Sequence, residues 1–347
     1  MKILILSHAI PYPPHQDGLV HTLFSLLPYF RQQGDQIKLL CLTGTKQQAA
    51  DFSRFRIPFE CLYLKPRAKK VQGFLKSLTA KIPIPWHLYQ YDRPEAHRAL
   101  KKETYDQAVI FPPMLALYAD DLDLKKTVIV THDSYSLLFK TLLQETSSAL
   151  KKAYLKRQAR WTEKIEKLYF PRVKQVITVS PRDRDYLKTL GIKNVTAIPI
   201  GVDTKQFPLI ERVEKPTTLI FTGILSYIAN ADAVRYFVRD VWPMLKKKIP
   251  DIRLKIIGKN PPADITDLPA RDQQIIVTGF VPDVAQACAG GTIYVSPLTY
   301  GTGAKNKILE AMSMGFPCVV SPETVIGTGS TDEQELLVAK NKAEFIK

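Results

Sequence analysis

Short apolar runs alternate with longer amphipathic stretches along most of this chain. KILILS (2–7) reads as a buried strand, and GLVHTLFSLLPYFRQQG (18–34) as the helix that follows it. QIKLLCL (36–42) is predicted to be the second strand. DQAVIF (106–111), TVIVTH (127–132), VKQVITVS (173–180) and VTAIPI (195–200) are predicted as further strands. SPRDRDYLKTLG opens with the Ser-Pro start of a helix and closes on a glycine stop. This βαβ rhythm predicts an α/β fold, a parallel sheet covered by helices.

A charged, proline-bearing stretch, GVDTKQFPLIERVEKP (201–216), reads as a linker, and the rhythm restarts beyond it. TTLIFTG (217–223) is predicted as a strand and NADAVRYFVRDVWPMLKKKIP (230–250) as one helix ending on basic residues and Pro250. IRLKIIG (252–258), QQIIVTG (273–279), TIYVSP (292–297) and PCVVS (317–321) supply four more strands. Two Rossmann-like halves are therefore predicted, residues 1–205 and 206–347. Ligands of doubly wound sheets bind beyond the carboxyl ends of the strands, so the residues just after each strand carry the most functional weight. With two such halves, the expected site is a cleft between them.

Composition adds a charge. Lys and Arg number 49 against 33 Asp and Glu, a net +16 in 347 residues. That surplus suits phosphorylated substrates, an acidic membrane surface or a polyanion. A nucleic-acid partner is not expected, because the lysines are not interleaved with a recognised reading motif. The four cysteines, Cys41, Cys61, Cys288 and Cys318, have no CxxC spacing and read as buried thiols of a reducing compartment. KILIL is too short for a signal peptide, and no apolar run approaches the roughly 20 residues of a membrane span. The expectation is a cytoplasmic protein. Neither GxGxxG nor GxxxxGK[ST] follows a strand, which argues against a dinucleotide fingerprint and a P-loop.

The most informative segment is GTGAKNKILEAMSMG (301–315), a glycine turn followed by a helix. A helix N-terminus already carries about half a positive charge, so Lys305 and Lys307 are unfavourable there unless an anion sits in the turn. Phosphate is the usual occupant of such a turn. Glu310 lies three residues past Lys307, on the same helix face, placed to accept hydrogen bonds from sugar hydroxyls beside the phosphate. An ordinary exposed Lys307–Glu310 pair is the simpler alternative.

Other post-strand residues also carry two readings. His132 is either a base, electrophile or hydrogen-bond donor to substrate, or a satisfied histidine at the strand end. Asp133 or Ser134 reads as the N-cap of the next helix. Gly18 starts a helix whose free amides face the expected cleft, or is a plain cap. His8 reads as structural, and Asn230 as a helix cap that also shapes a pocket.

The chain resembles retaining glycosyltransferases of family 4. The resemblance is carried by KILILSHAIPYPPHQDG, by VITVSPRDRDYLKTLGIKNVTAIPIGVDTKQF, and by the run from FTG through GFVPD to VSPLTYGTGAKNKILEAMSMGFPCVVS. It implies a GT-B fold, two Rossmann-like parallel-sheet domains facing a central cleft. The N-terminal half would bind the acceptor and the C-terminal half a nucleotide-sugar donor. It further implies transfer of a hexosyl or related sugar with retention to a saccharide or lipid-linked acceptor, with no metal and no cofactor. By position, Glu310 resembles the ribose-binding second glutamate of a Glu-x7-Glu motif. Gly303 and Ala304, with Gly18 from the other half, would offer backbone amides to the diphosphate or sugar. His132 would lie near the transferred sugar, and Gly223, Asn230, Lys305 and Lys307 would line the donor site.

Departures from the family pattern sharpen this reading. Thr302 stands where the first glutamate of the motif is expected, so its catalytic contact is altered. The usual diphosphate-binding Arg and Lys fall at Ile224 and Ala229, and Lys305 and Lys307 are expected to supply the missing charge. The sequence around Asn230 and Lys307 resembles a branch associated with exopolysaccharide assembly. The family pattern runs on past ELLVA…F, so a chain ending at Lys347 is expected to lack closing helices of the second domain. RAKKVQGFLKSLTAKIPIPW (67–86) and LKKAYLKRQARWTEKIEKLYF (150–170) suit an anionic membrane surface, and hence a peripheral location. An epimerase of the same architecture and a catalytically silent sugar-nucleotide binder are the alternatives.

Overall fold

Every strand in the described part of the chain runs parallel to its neighbours. The computed structural model describes residues 1–12, 18–63, 94–211, 216–300 and 306–347. They divide into two units, Met1–Ile198 and Pro199–Lys347. Each unit is an α/β Rossmann-like domain, the pair of domains that the GT-B resemblance implies.

The first sheet contains β1 (Lys2–Ala9), β2 (Gln36–Thr43), β3 (Phe59–Cys61), β4 (Gln107–Phe111), β5 (Thr127–Val130), β6 (Gln175–Thr178) and β7 (Val195–Ala197). Its order is β3-β2-β1-β4-β5-β6-β7, so the winding reverses between β1 and β4. Alternate residues of β1 enter two different cores. Leu4 and Leu6 pack with Leu40, Ile110 and Ile129, while Ile3 and Ile5 pack with Leu39, Val109 and Val128. Both faces of the sheet are covered, which is why its strands read as continuous apolar runs rather than as alternation.

The second sheet contains β8 (Thr218–Thr222), β9 (Arg253–Ile257), β10 (Ile275–Val277), β11 (Ile293–Ser296), β12 (Cys318–Val320) and β13 (Leu337–Val338). Its order, β10-β9-β8-β11-β12-β13, reverses between β8 and β11. Leu219 and Phe221 enter one core and Ile220 the other.

Three sequence expectations change. The stretch read as a linker packs onto the second unit: Phe207 is buried, its carbonyl accepts from Ser313 Oγ at 2.6 Å, and Ile210 N–H donates to the Met314 carbonyl at 3.1 Å. The helix predicted over 230–250 is interrupted. An α-helix, Ile228–Tyr236, passes through a π turn, Phe237–Val241, into a second helix, Trp242–Lys248. Pro243 has no N–H to continue the α ladder, and Trp242 N–H reaches back five residues to the Phe237 carbonyl. The strand predicted over 195–200 ends at Ala197. The cysteines are free thiols, with Cys41, Cys288 and Cys318 buried as expected. Among the described residues, no helix is long and apolar enough to cross a membrane.

Candidate functional site

The second unit gathers several of the sequence-predicted residues at the carboxyl end of β8. Gly223 follows that strand directly, and its N–H donates to the Ile257 carbonyl of β9 at 3.0 Å. Gly258, which sequence reasoning did not single out, lies against it: a Cβ there would come within 1.7 Å of the Gly223 carbonyl oxygen. Only two glycines let these loops approach so closely. A Cβ on Gly223 would in turn meet the Asn230 side chain at 2.8 Å.

Asn230 does not cap its helix. Tyr227 occupies the N-cap position of the Ile228–Tyr236 helix, and the Asn230 amide donates instead to the Ile224 carbonyl at 3.0 Å. The Asn230 carbonyl oxygen accepts from Lys307 Nζ at 3.0 Å. Lys307 reaches this point by crossing Phe221, its Nζ 4.3 Å from the ring centroid. The ammonium group therefore stands beside the segment that carries Ile224 and Ala229. Ala229 is itself buried in the core.

Lys307 and Glu310 belong to the helix Asn306–Ser313, which Ile308 and Ala311 anchor in the core. The exposed-pair reading of Glu310 fails, because its side chain is largely enclosed. Burial pushes its carboxyl up to about 7 against the pull of Lys307, and its charge is felt by the Cys288 thiol and the fully buried Tyr294 hydroxyl. Both of those groups are pushed up mainly by burial. Thr302, Gly303, Ala304 and Lys305 lie outside the described residues. Just before them, Tyr300 donates to Asp232 at 2.6 Å, and Arg235 joins Asp232 at 2.8 Å to Asp264 at 2.6 Å. Tyr300 and Lys307 are thus both hydrogen-bonded to the Ile228–Tyr236 helix. The Tyr300–Asp232 link escaped sequence reading because it joins residues 68 positions apart.

In the first unit, His132 follows β5, and its carbonyl accepts from Val179 N–H at 3.2 Å. Ser134 is the N-cap of the next helix, Tyr135–Glu145, accepting from Leu137 N–H at 3.3 Å. Gly18 is the first residue of the helix Gly18–Gln32, whose first turn has no acidic residue to offset the dipole.

The model of Glycosyltransferase Family 4 matches residues 16–206, more than half of the chain. The chain belongs to that family. A second model, Glycosyl transferases group 1, matches residues 216–347 of this glycosyltransferase. Its fold is similar to sucrose-phosphate synthase from Thermosynechococcus elongatus, with 14% identity, a TM-score of 0.68, and coverage of 100% of this chain and 88% of that one. It is also similar to Anabaena HepE, solved with UDP-glucose, with 14% identity, a TM-score of 0.65 and the same coverage. A sequence relative, an uncharacterized 44.6 kDa protein in a cps region of Klebsiella pneumoniae, is 22% identical over 100% of this chain and 89% of its own length.

Proposed function

We propose that this glycosyltransferase moves a hexosyl or related sugar from a nucleotide-diphosphate-sugar to a saccharide or lipid-linked acceptor, with retention of configuration. The observation that carries the donor side of the reading is the position of Lys307. Its ammonium group is held over Phe221 against Asn230, beside the Ile224 and Ala229 positions that lack the family's charged side chains. A lysine there meets the negative charge that collects on a departing diphosphate. Lys305, Gly303 and Ala304 would complete that cradle, and Glu310, one turn beyond Lys307, would accept from the ribose hydroxyls.

His132 and Gly18 belong to the acceptor half, His132 beside the transferred sugar and Gly18 as an amide donor. Thr302 would replace a carboxylate contact to the sugar with a neutral hydroxyl. The nucleotide-sugar class is supported by HepE, a similar fold solved with UDP-glucose. Since lysines supply the countercharge, the reaction needs no metal, and EDTA should leave its rate unchanged. An exopolysaccharide product is the branch we favour, on the sequence around Asn230 and Lys307 and on the relative named for a cps region.

A lipid-linked acceptor would place the enzyme on the cytoplasmic face of a membrane. The helix Ala149–Tyr169 exposes Lys151, Lys152, Lys156, Arg157, Arg160 and Lys164, with Leu150 87% exposed. That face suits an anionic surface. The other basic stretch, 67–86, lies outside the described residues.

Incubation with a panel of nucleotide-sugars and saccharide acceptors tests the reading, with product anomers followed by NMR. Transfer with the donor's anomeric configuration preserved is the expected result. An inverted product would overturn retention. Donor binding with neither transfer nor hydrolysis would identify a silent sugar-nucleotide binder.

A further inference from the structure

The turn that carries His132 rests on a buried carboxylate to which the donor and acceptor reading gives no role. Glu166, on the helix Ala149–Tyr169, is only 3% exposed. Its Oε1 accepts from Ser134 Oγ at 3.0 Å and from Ser136 N–H at 3.2 Å, and its Oε2 accepts from the Ser136 hydroxyl. Tyr135 N–H also contributes. Ser136 Oγ is 3.0 Å from the Tyr186 hydroxyl. A second buried carboxylate, Asp183, accepts from Ser134 N–H at 2.8 Å and from the Ser180 hydroxyl. Ser134, Ser136 and Ser180 are fully buried.

Among the described residues, the side chains that bond to Glu166, those of Ser134 and Ser136, are neutral. The nearby cation, Lys140, is taken by Glu163 at 2.7 Å and lies over the Tyr186 ring. Lys167 is likewise paired with Glu163. Burying an anion that has only neutral donors is unfavourable, and a core built for stability alone would favour an uncharged residue. What the carboxylate does provide is direction. It holds two hydroxyls and two backbone amides of Ser134, Tyr135 and Ser136, two to four residues after His132, while Val179 N–H holds the His132 carbonyl.

We propose that Glu166 is a positioning residue for sugar transfer, gripping the 134–136 turn from beneath and so fixing the orientation of His132. This rests on the reading of His132 as the residue beside the transferred sugar. Burial pushes the Glu166 carboxyl up to about 7 against the pull of its serine and backbone donors. The titratable and charged groups bonded to the network or adjoining it are Asp183 and Tyr186 from the neighbouring helix, Glu163 and Lys167 on its own helix and Lys140 paired with Glu163, with His132 and Asp133 next to it in sequence. As pH rises through about 7, Glu166 ionises and its grip on the serines tightens, so kcat should rise with it.

The test compares wild type, Glu166→Gln and Ser136→Ala by kcat, donor KM and pH profile, alongside thermal unfolding. Glu166→Gln is expected to lower kcat about tenfold, leave donor KM within twofold, and flatten the limb near pH 7. Ser136→Ala should shift kcat in the same direction, and the double variant should add little to either single change. It also serves if Glu166→Gln fails to fold. A wild-type kcat and pH profile in both variants would overturn the proposal, as would a loss that tracks unfolding and leaves the pH limb unchanged.

A second readout is independent of activity. With 13C-histidine labelling, the His132 Cε1 resonance, identified through His132→Gln, should titrate differently in Glu166→Gln and Ser136→Ala than in wild type. An unchanged titration curve contradicts the positioning role even if no transfer is found. Absence of transfer in wild type with an altered curve would instead count against the functional reading alone.

Discussion

Lys307 and Glu310 stand one helical turn apart and meet opposite environments. Lys307 is drawn across an aromatic face to an amide oxygen, and Glu310 is largely enclosed with its carboxyl pushed up to about 7. The consequence for stability has a definite sign. A carboxyl whose folded value lies above its ordinary 4.5 binds more protons in the native state between those two values, so it costs stability as pH rises through that window. A shift of that size corresponds to roughly 3 kcal/mol. Glu310→Gln should therefore show a smaller fall in melting temperature between pH 5 and 8 than wild type, measured by calorimetry. Glu166→Gln should behave similarly, since Glu166 is raised for the same reason. If Glu310 accepts from a ribose, Glu310→Gln should also weaken nucleotide binding about tenfold, and wild-type affinity should decline below pH 7 as the carboxyl protonates.

At the level of elements, the long strands were legible because both faces of each sheet are buried, leaving uninterrupted apolar runs such as KILIL and TLIF. β3 and β13 were not, because three and two residues at a sheet edge carry no pattern. The 230–250 helix misled because its apolar spacing continues through Pro243, and only the missing N–H forces the π turn. In the candidate site, the helix with Lys307 and Glu310 was readable from its adverse lysines. The partners of those residues were not, since Asn230 and Phe221 come from a strand and helix some 80 positions away. Gly258 shows the same limit: nothing in IRLKIIG indicates that its last residue abuts the Gly223 carbonyl. Replacing it should be costly, because backbone must move. Gly258→Ala should destabilise the protein by about 2 to 4 kcal/mol in denaturant unfolding, whereas Gly191→Ala, where a Cβ meets nothing within 4 Å, should be limited by its positive φ alone.

On the scale of the whole molecule, the +16 charge serves the proposed function in two ways, suiting an anionic substrate at one site and an anionic surface at another. The basic face of the Ala149–Tyr169 helix carries the second idea. Sedimentation with vesicles containing anionic lipid should show binding at low salt that is lost at high salt. Reversing Lys151, Lys152 and Lys156 to Glu should abolish it, and binding only to neutral vesicles would contradict the electrostatic account. The first of these partners, in the proposed function, is a nucleotide diphosphate held by Lys307. Isothermal titration of a panel of nucleoside diphosphates into wild type and Lys307→Ala tests it most directly. At least one diphosphate should bind wild type and bind the variant tenfold or more weakly, about 1.4 kcal/mol. Equal affinity in the two proteins would contradict the account.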